Sequence, residues 1–161
     1  MRRCTRPTPV GGSALFCRAA VLLQVGCTQL PQTNAVAIPP LPSGEARVWI
    51  YRNDGPYDVQ TTPYVRISGQ VVGVSQMNGA FYRDVAPGHY SITVDSFATD
   101  VNQFEDVDLA AGQQAYAKIL SLRCWQGGTM GEPCRDAFYV RLRPADAARP
   151  EIAHSPYYGG S

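Results

Sequence analysis

Between residues 45 and 143 the chain alternates apolar and polar side chains in short runs, each closed by turn-forming residues. The intervals are too short for helices and match the period of two that places successive side chains on opposite faces of a sheet. In Arg47–Arg52, Val48 and Ile50 share one face while Trp49 and Tyr51 share the other. Pro63–Ser68 repeats the pattern with Val65 and Ile67. Gln70–Val74, Ala80–Val85 and the run carrying Tyr90, Ile92 and Val94 follow, then Gln103–Leu109, Gln113–Leu122 and Ala137–Arg143. In the last of these Phe138, Val140 and Leu142 are expected inside, with Tyr139, Arg141 and Arg143 outside. Ser68-Gly69 predicts a tight turn, and Asn78-Gly79 predicts a hairpin because both residues tolerate positive φ. Pro87-Gly88 predicts the central pair of a type II turn. So many short strands at this spacing predict an all-β fold, a single antiparallel β-sandwich over residues 45–143.

A chain of 161 residues can bury a core of its own as one domain. Only 17% of its side chains are charged, with 14 basic against 13 acidic, so nothing in the charge balance suggests nucleic acid. No apolar run approaches the roughly 20 residues of a membrane-spanning helix.

The N-terminus reads as a targeting peptide over residues 1–26. Arg2, Arg3, Arg6 and Arg18 are its only charges, and Ala19–Val25 is an apolar run ending at Gly26 and Cys27. The stretch LLQVGC resembles a bacterial lipoprotein lipobox: Val25, Gly26 and Cys27 fit, while Gln24 stands where that pattern usually has Leu. The resemblance implies cleavage before Cys27 and lipid attachment to it. Several acyl chains on one residue give lasting membrane attachment, at about 0.8 kcal/mol per buried methylene. Thr28, by not being Asp, implies sorting to the outer membrane. An ordinary cleaved signal with a chance Cys is the alternative. Removal of residues 1–26 takes four Arg and no acid, turning a net charge of +1 into −3.

Of five Cys, Cys4 and Cys17 fall in the targeting peptide and Cys27 is the lipid position. Cys124 and Cys134 remain, flanking the Gly-rich WQGGTMGEP, and in an exported chain they are expected to pair. Such a ring stabilises by about 2.5 to 3 kcal/mol in the chain-entropy model. A zinc site needs about four ligands, and only His89 and His154 are at hand, at unrelated spacings. Residues 27–44 hold four Pro and no charge between Thr28 and Gly44, which predicts an extended tether of about 3 Å per residue. Residues 144–161, with three Pro and a Gly pair, predict a flexible tail.

Ala46–Arg52 (ARVWIYR), Val65–Gly73 (VRISGQVVG), the strand start at Gly79–Tyr82, Val85–Ile92 (VAPGHYSI) and Leu109–Tyr116 (LAAGQQAY) occur in a recognisable order. Together they resemble a family of small bacterial lipoproteins built on one uncharacterised envelope domain, over roughly residues 46–120. The resemblance implies an immunoglobulin-like or transthyretin-like sandwich at the cell envelope. It implies no reaction and transfers no functional residue.

Chemistry-bearing residues are few. Ser75 lies in GVSQM, which lacks the second Gly of a nucleophile elbow. His89 follows a turn on the expected solvent face. Asp95, Asp100, Glu105, Asp106 and Asp108 form an oxygen-rich stretch that suits Ca²⁺, but Asp106 and Asp108 alternate with Val107 like the outer face of a strand. The Gly127, Gly128 and Gly131 cluster is not placed between a strand and a helix, so no phosphate loop and no cofactor is implied. Trp49, Tyr51, Tyr57 and Tyr64 are candidates for an exposed aromatic patch facing a glycan or protein. Trp125, inside the Cys-flanked loop, is the aromatic expected to touch a partner. The expectation is a lipid-anchored, non-enzymatic envelope module bound to the membrane through Cys27, with an envelope protein or glycan as partner. An unanchored periplasmic domain for sugar or Ca²⁺, and a carboxylate-based hydrolase, are the alternatives.

Overall fold

A computed structural model describes residues 29–54, 61–98, 100–122 and 137–160. Cys27, Tyr57, Cys124, Trp125 and Cys134 lie outside the described residues. Nine strands, one α-helix and a single 3-10 turn (Thr33–Ala35) are present among them: β1 (Ala46–Arg52), β2 (Tyr64–Ile67), β3 (Gln70–Val74), β4 (Gly79–Val85), β5 (Gly88–Val94), β6 (Glu105–Leu109), β7 (Gln114–Leu122), β8 (Ala137–Leu142), α1 (Ala145–Ala153) and β9 (Tyr157–Gly160). The strands form two sheets, a five-stranded one in the order β8-β7-β1-β4-β9 and a four-stranded one in the order β3-β2-β5-β6. The fold is the all-β sandwich that the alternation predicts.

Its core lies between the sheets. Val48, Ile50, Phe81, Ala117, Ile119, Phe138 and Val140 of the larger sheet meet Val65, Ile67, Ile92, Val94 and Leu109 of the smaller. Every one sits at an inward position of a period-two strand, so pattern and packing agree. The outer face of the smaller sheet is solvated, and on β6 Asp106 and Asp108 point outward while Leu109 is buried.

Ser68 and Gly69 both take positive φ (47° and 82°), the backbone twist that suits a two-residue hairpin, and they join β2 to β3. The other two turns differ from expectation. Asn78 has φ 53°, but Gly79 is extended and begins β4 in the opposite sheet, so Asn78-Gly79 is a crossover between sheets instead of a hairpin. Gly79 is still needed there, since a Cβ would stand 2.4 Å from the Tyr158 ring. Gly88 is also extended, as the first residue of β5, and Pro87 ends another crossover in place of a type II turn.

The sandwich is not wholly antiparallel. β1 pairs with β4 antiparallel and with β7 parallel, and β9 adds to β4 in parallel. Such pairings need long crossovers, which a local reading of turns does not detect.

Both terminal expectations are overturned. The segment after residue 143 is no flexible tail: Ala145–Ala153 is a helix whose Ala148 and Ile152 are buried, and Tyr157–Gly160 is an edge strand. Pro150 lies inside the helix at an exposed position and supplies no backbone N–H to the helical ladder there. Residues 29–44 are equally no free tether. Thr33 is buried, donating from its backbone N–H and its hydroxyl to the Ser155 carbonyl at 2.9 and 2.8 Å. Tyr157 N–H donates to the Pro31 carbonyl at 2.8 Å. The two ends therefore hydrogen-bond to each other, and both pack on the outer face of the larger sheet as a third layer. The physical reason is that this face is itself apolar. Trp49, Tyr51, Ala80, Tyr82 and Tyr116 form a second buried cluster with Ala148 and Ile152, flanked by Ile38, Ala145 and Tyr157.

Candidate binding cleft

The third layer leaves a cleft of about 270 Å³ between the N-terminal segment, β1, β7 and α1. Thr33, Asn34 and Ile38 form one wall, Trp49, Gln114 and Tyr116 the floor, and Arg149, Ile152 and Ala153 the other wall. The strand period carries Trp49 and Tyr116 to the same outer face, where they stand opposite one another in the β1–β7 register. Polar groups here are oriented by their neighbours: Trp49 Nε1–H donates to Gln114 Oε1 at 3.1 Å, and Arg149 Nε–H donates to the Tyr116 hydroxyl at 3.0 Å. A mostly apolar concavity with a few fixed polar groups is the usual form of a small-ligand site. No group in it is arranged as nucleophile and base.

Beside the cleft the layer is pinned by buried charge. Arg47 donates to Asp84 through Nε at 2.6 Å and through Nη2 at 2.9 Å, and to the Pro39 carbonyl through Nη1 at 2.9 Å. Its guanidinium lies 3.9 Å from the centre of the Tyr82 ring. Tyr82 stacks on Tyr157, whose hydroxyl is pushed up to about 12 by burial and by the neighbouring Tyr82 hydroxyl. On the other side of α1, Lys118 Nζ donates to Glu151 at 2.8 Å. Burial works to raise the Glu151 carboxyl, but Lys118 and the nearby Tyr51 hydroxyl outweigh it and hold it below the usual range. Burial first, then Glu151, pushes the Tyr51 hydroxyl up.

The residues singled out in the sequence are placed apart. Trp49 and Tyr51 are buried beneath the third layer and form no exposed patch, while Tyr64 is exposed on the four-stranded sheet. Ser75 is buried, and its hydroxyl has no hydrogen-bond partner among the described residues. His89 is exposed and meets Asp108 at 2.9 Å across β5 and β6. The acidic stretch does not converge. Asp95 accepts from Arg66 at 2.8 and 3.1 Å, Asp100 accepts from the Tyr139 hydroxyl at 2.6 Å, and Glu105 stands 3.6 Å from Arg141. These partners lower the Asp95 and Asp100 carboxyls. Among the described residues no three His, Cys, Asp or Glu side chains gather as a metal site would require.

Sequence reasoning missed Gln114, Tyr116, Arg149 and Ile152 as cleft residues. A signal for the cover was present: outward positions of β1, β4 and β7 carry Trp49, Tyr51, Tyr82 and Tyr116 where a solvated face would carry polar residues.

No protein-family model matches the chain, and no curated protein matches it. Among solved structures, the chain is similar to the N-terminal domain of AlgF from P. aeruginosa, at 17% identity and a TM-score of 0.36, over 64% of this chain and 98% of that one.

Proposed function

We propose that the chain is an exported, lipid-anchored, non-enzymatic protein of the bacterial envelope, attached through Cys27 and acting as a binding or structural module.

 The observation that supports this reading is the short distance between the LLQVGC motif and the folded body. LLQVGC ends two residues before Gln29, and from Gln32 onward the chain is hydrogen-bonded into the body of the domain. A lipid on Cys27 would therefore hold the sandwich directly at the membrane, with no spacer between them. The cleft at Trp49 and Tyr116 is the concavity best suited to a small, largely apolar ligand in such a module.

The test is intact mass and fatty-acid labelling of the protein expressed in a Gram-negative host, beside a Cys27→Ser variant. Acyl mass on a product beginning at Cys27, absent from the variant, is the expected result. An unacylated product overturns the reading and favours a periplasmic sugar- or Ca²⁺-binding domain, for which a Ca²⁺-dependent rise in melting temperature is the next measurement.

A further inference from the structure

Among the described residues Val71 on β3 and Leu120 on β7 are exposed singly, and the other exposed large apolar side chains are not scattered. Leu30, Tyr64, Phe97, Val101, Phe104 and Tyr158 are all between 42% and 75% exposed. The topology gathers them at one end of the sandwich. Tyr64 begins β2, the loop holding Phe97, Val101 and Phe104 follows β5, and Tyr158 lies over Gly79 at the start of β4. The loop is tied to the larger sheet at the same end, since Gln103 Nε2 donates to the Phe138 carbonyl at 3.1 Å and Val140 N–H donates to the Gln103 carbonyl at 3.0 Å. Leu30 shares a surface hollow with Asn78 and Tyr158. The opposite end, formed by Ser68-Gly69, Ala86-Pro87 and Ala110–Gln113, presents small and polar residues.

The chain leaves the domain at the apolar end. Gln29 lies two positions after Cys27, a step that spans at most about 7 Å. From these observations we infer that this end of the sandwich rests on the lipid surface, with Leu30, Phe97, Val101, Phe104 and the two tyrosines entering the headgroup region. Aromatic and aliphatic side chains on a polar scaffold are the composition such an interface favours, with Tyr suited to the headgroup level. Charge does not drive the contact. Asp95 and Glu105 stand beside Arg66 and Arg141, Asp100 accepts from Tyr139, and Asp54 is exposed nearby. The surface therefore suits apolar insertion more than attraction to anionic lipid.

This inference rests on the proposed anchoring at Cys27, and its test separates the two. The acylated full-length protein is reconstituted in vesicles of phosphatidylethanolamine and phosphatidylglycerol that contain a photoactivatable phospholipid, and the adducts are mapped by peptide mass spectrometry. Adducts are expected on peptides carrying Leu30, residues 97–104 and Tyr158, and not on those carrying residues 68–69, 86–87 or 110–113. The triple variant Phe97→Ser, Val101→Ser, Phe104→Ser changes exposed positions only and is expected to lose the adducts in its own loop while keeping its acyl mass. Adducts spread evenly, or concentrated at the opposite end, on a protein with acyl mass at Cys27 overturn this inference and leave the anchor standing. Absence of acyl mass at Cys27 overturns both.

Discussion

The Arg47–Asp84 pair bridges β1 and β4 and holds the guanidinium that reaches the Pro39 carbonyl of the third layer, and its loss has a calculable effect. The Arg47 side chain is 4% exposed and that of Asp84 10%, so Asp84→Asn leaves a guanidinium buried without its counter-charge. Removing one partner of a buried pair costs about 3 to 5 kcal/mol. Arg47 keeps the Pro39 carbonyl and the Tyr82 ring face, which places the expected loss near the lower figure, about 3 kcal/mol. For a folded body of this size that corresponds to a fall in melting temperature on the order of 10 °C. Urea unfolding followed by far-ultraviolet circular dichroism measures the loss. A cycle with Arg47→Met and the double variant Arg47→Met, Asp84→Asn then isolates the coupling, expected at about 2 kcal/mol or more. The double variant is expected to be more stable than either single one, because no unpaired charge stays buried. A cost under about 1 kcal/mol for Asp84→Asn, with no coupling in the cycle, would refute the argument that this pair is desolvated.

Three further outcomes follow from the same layer. Ile152→Ala removes a buried side chain packed in the aromatic cluster and should cost about 2 to 4 kcal/mol by urea unfolding, with faster proteolysis beyond residue 143. Glu151 has a lowered carboxyl pKa in the folded state, so its contribution is present above the unfolded value of about 4.3 and is lost as pH falls through the folded one. Glu151→Gln should accordingly flatten the acid limb of stability against pH. Tyr157 is displaced the other way: its folded pKa of about 12 exceeds the ordinary 10.0, so its stabilising effect is full below pH 10 and disappears as pH rises toward 12. Tyr157→Phe should reduce the alkaline loss of stability in that window, read by denaturant midpoint at stepped pH.

The strands between the termini were legible because their physics is local. Val48 and Ile50, or Phe138 and Val140, alternate with polar or aromatic neighbours, and a two-residue period is visible within six residues. Strand partners were not legible. Asn78-Gly79 has the composition of a hairpin, yet the chain uses it to change sheets, because Gly79 must lie flat beneath the Tyr158 ring, a contact between residues 79 apart. The helix was hidden by its brevity and by Pro150, although Ala145, Ala148 and Ile152 keep the spacing of one helical face. The cleft was illegible for the same reason: its walls come from residues 33–38 and 149–153, which look like a spacer and a frayed end until the aromatic face they cover is recognised.

The placement of β1 has a kinetic consequence. Its seven residues are buried throughout, with β4 on one edge, β7 on the other and the terminal layer over one face. β1 precedes its neighbours by long stretches of chain: Arg47 pairs with Asp84 and Gln114, and α1 follows only at Ala145–Ala153. Contacts so distant in sequence must close large loops before they are rewarded, which slows folding. The nascent chain therefore carries a strand with two apolar faces, one edge of it open until β7 emerges and one face uncovered until α1 follows. Until residues 145–157 emerge, its solubility depends on whatever shields that outer face.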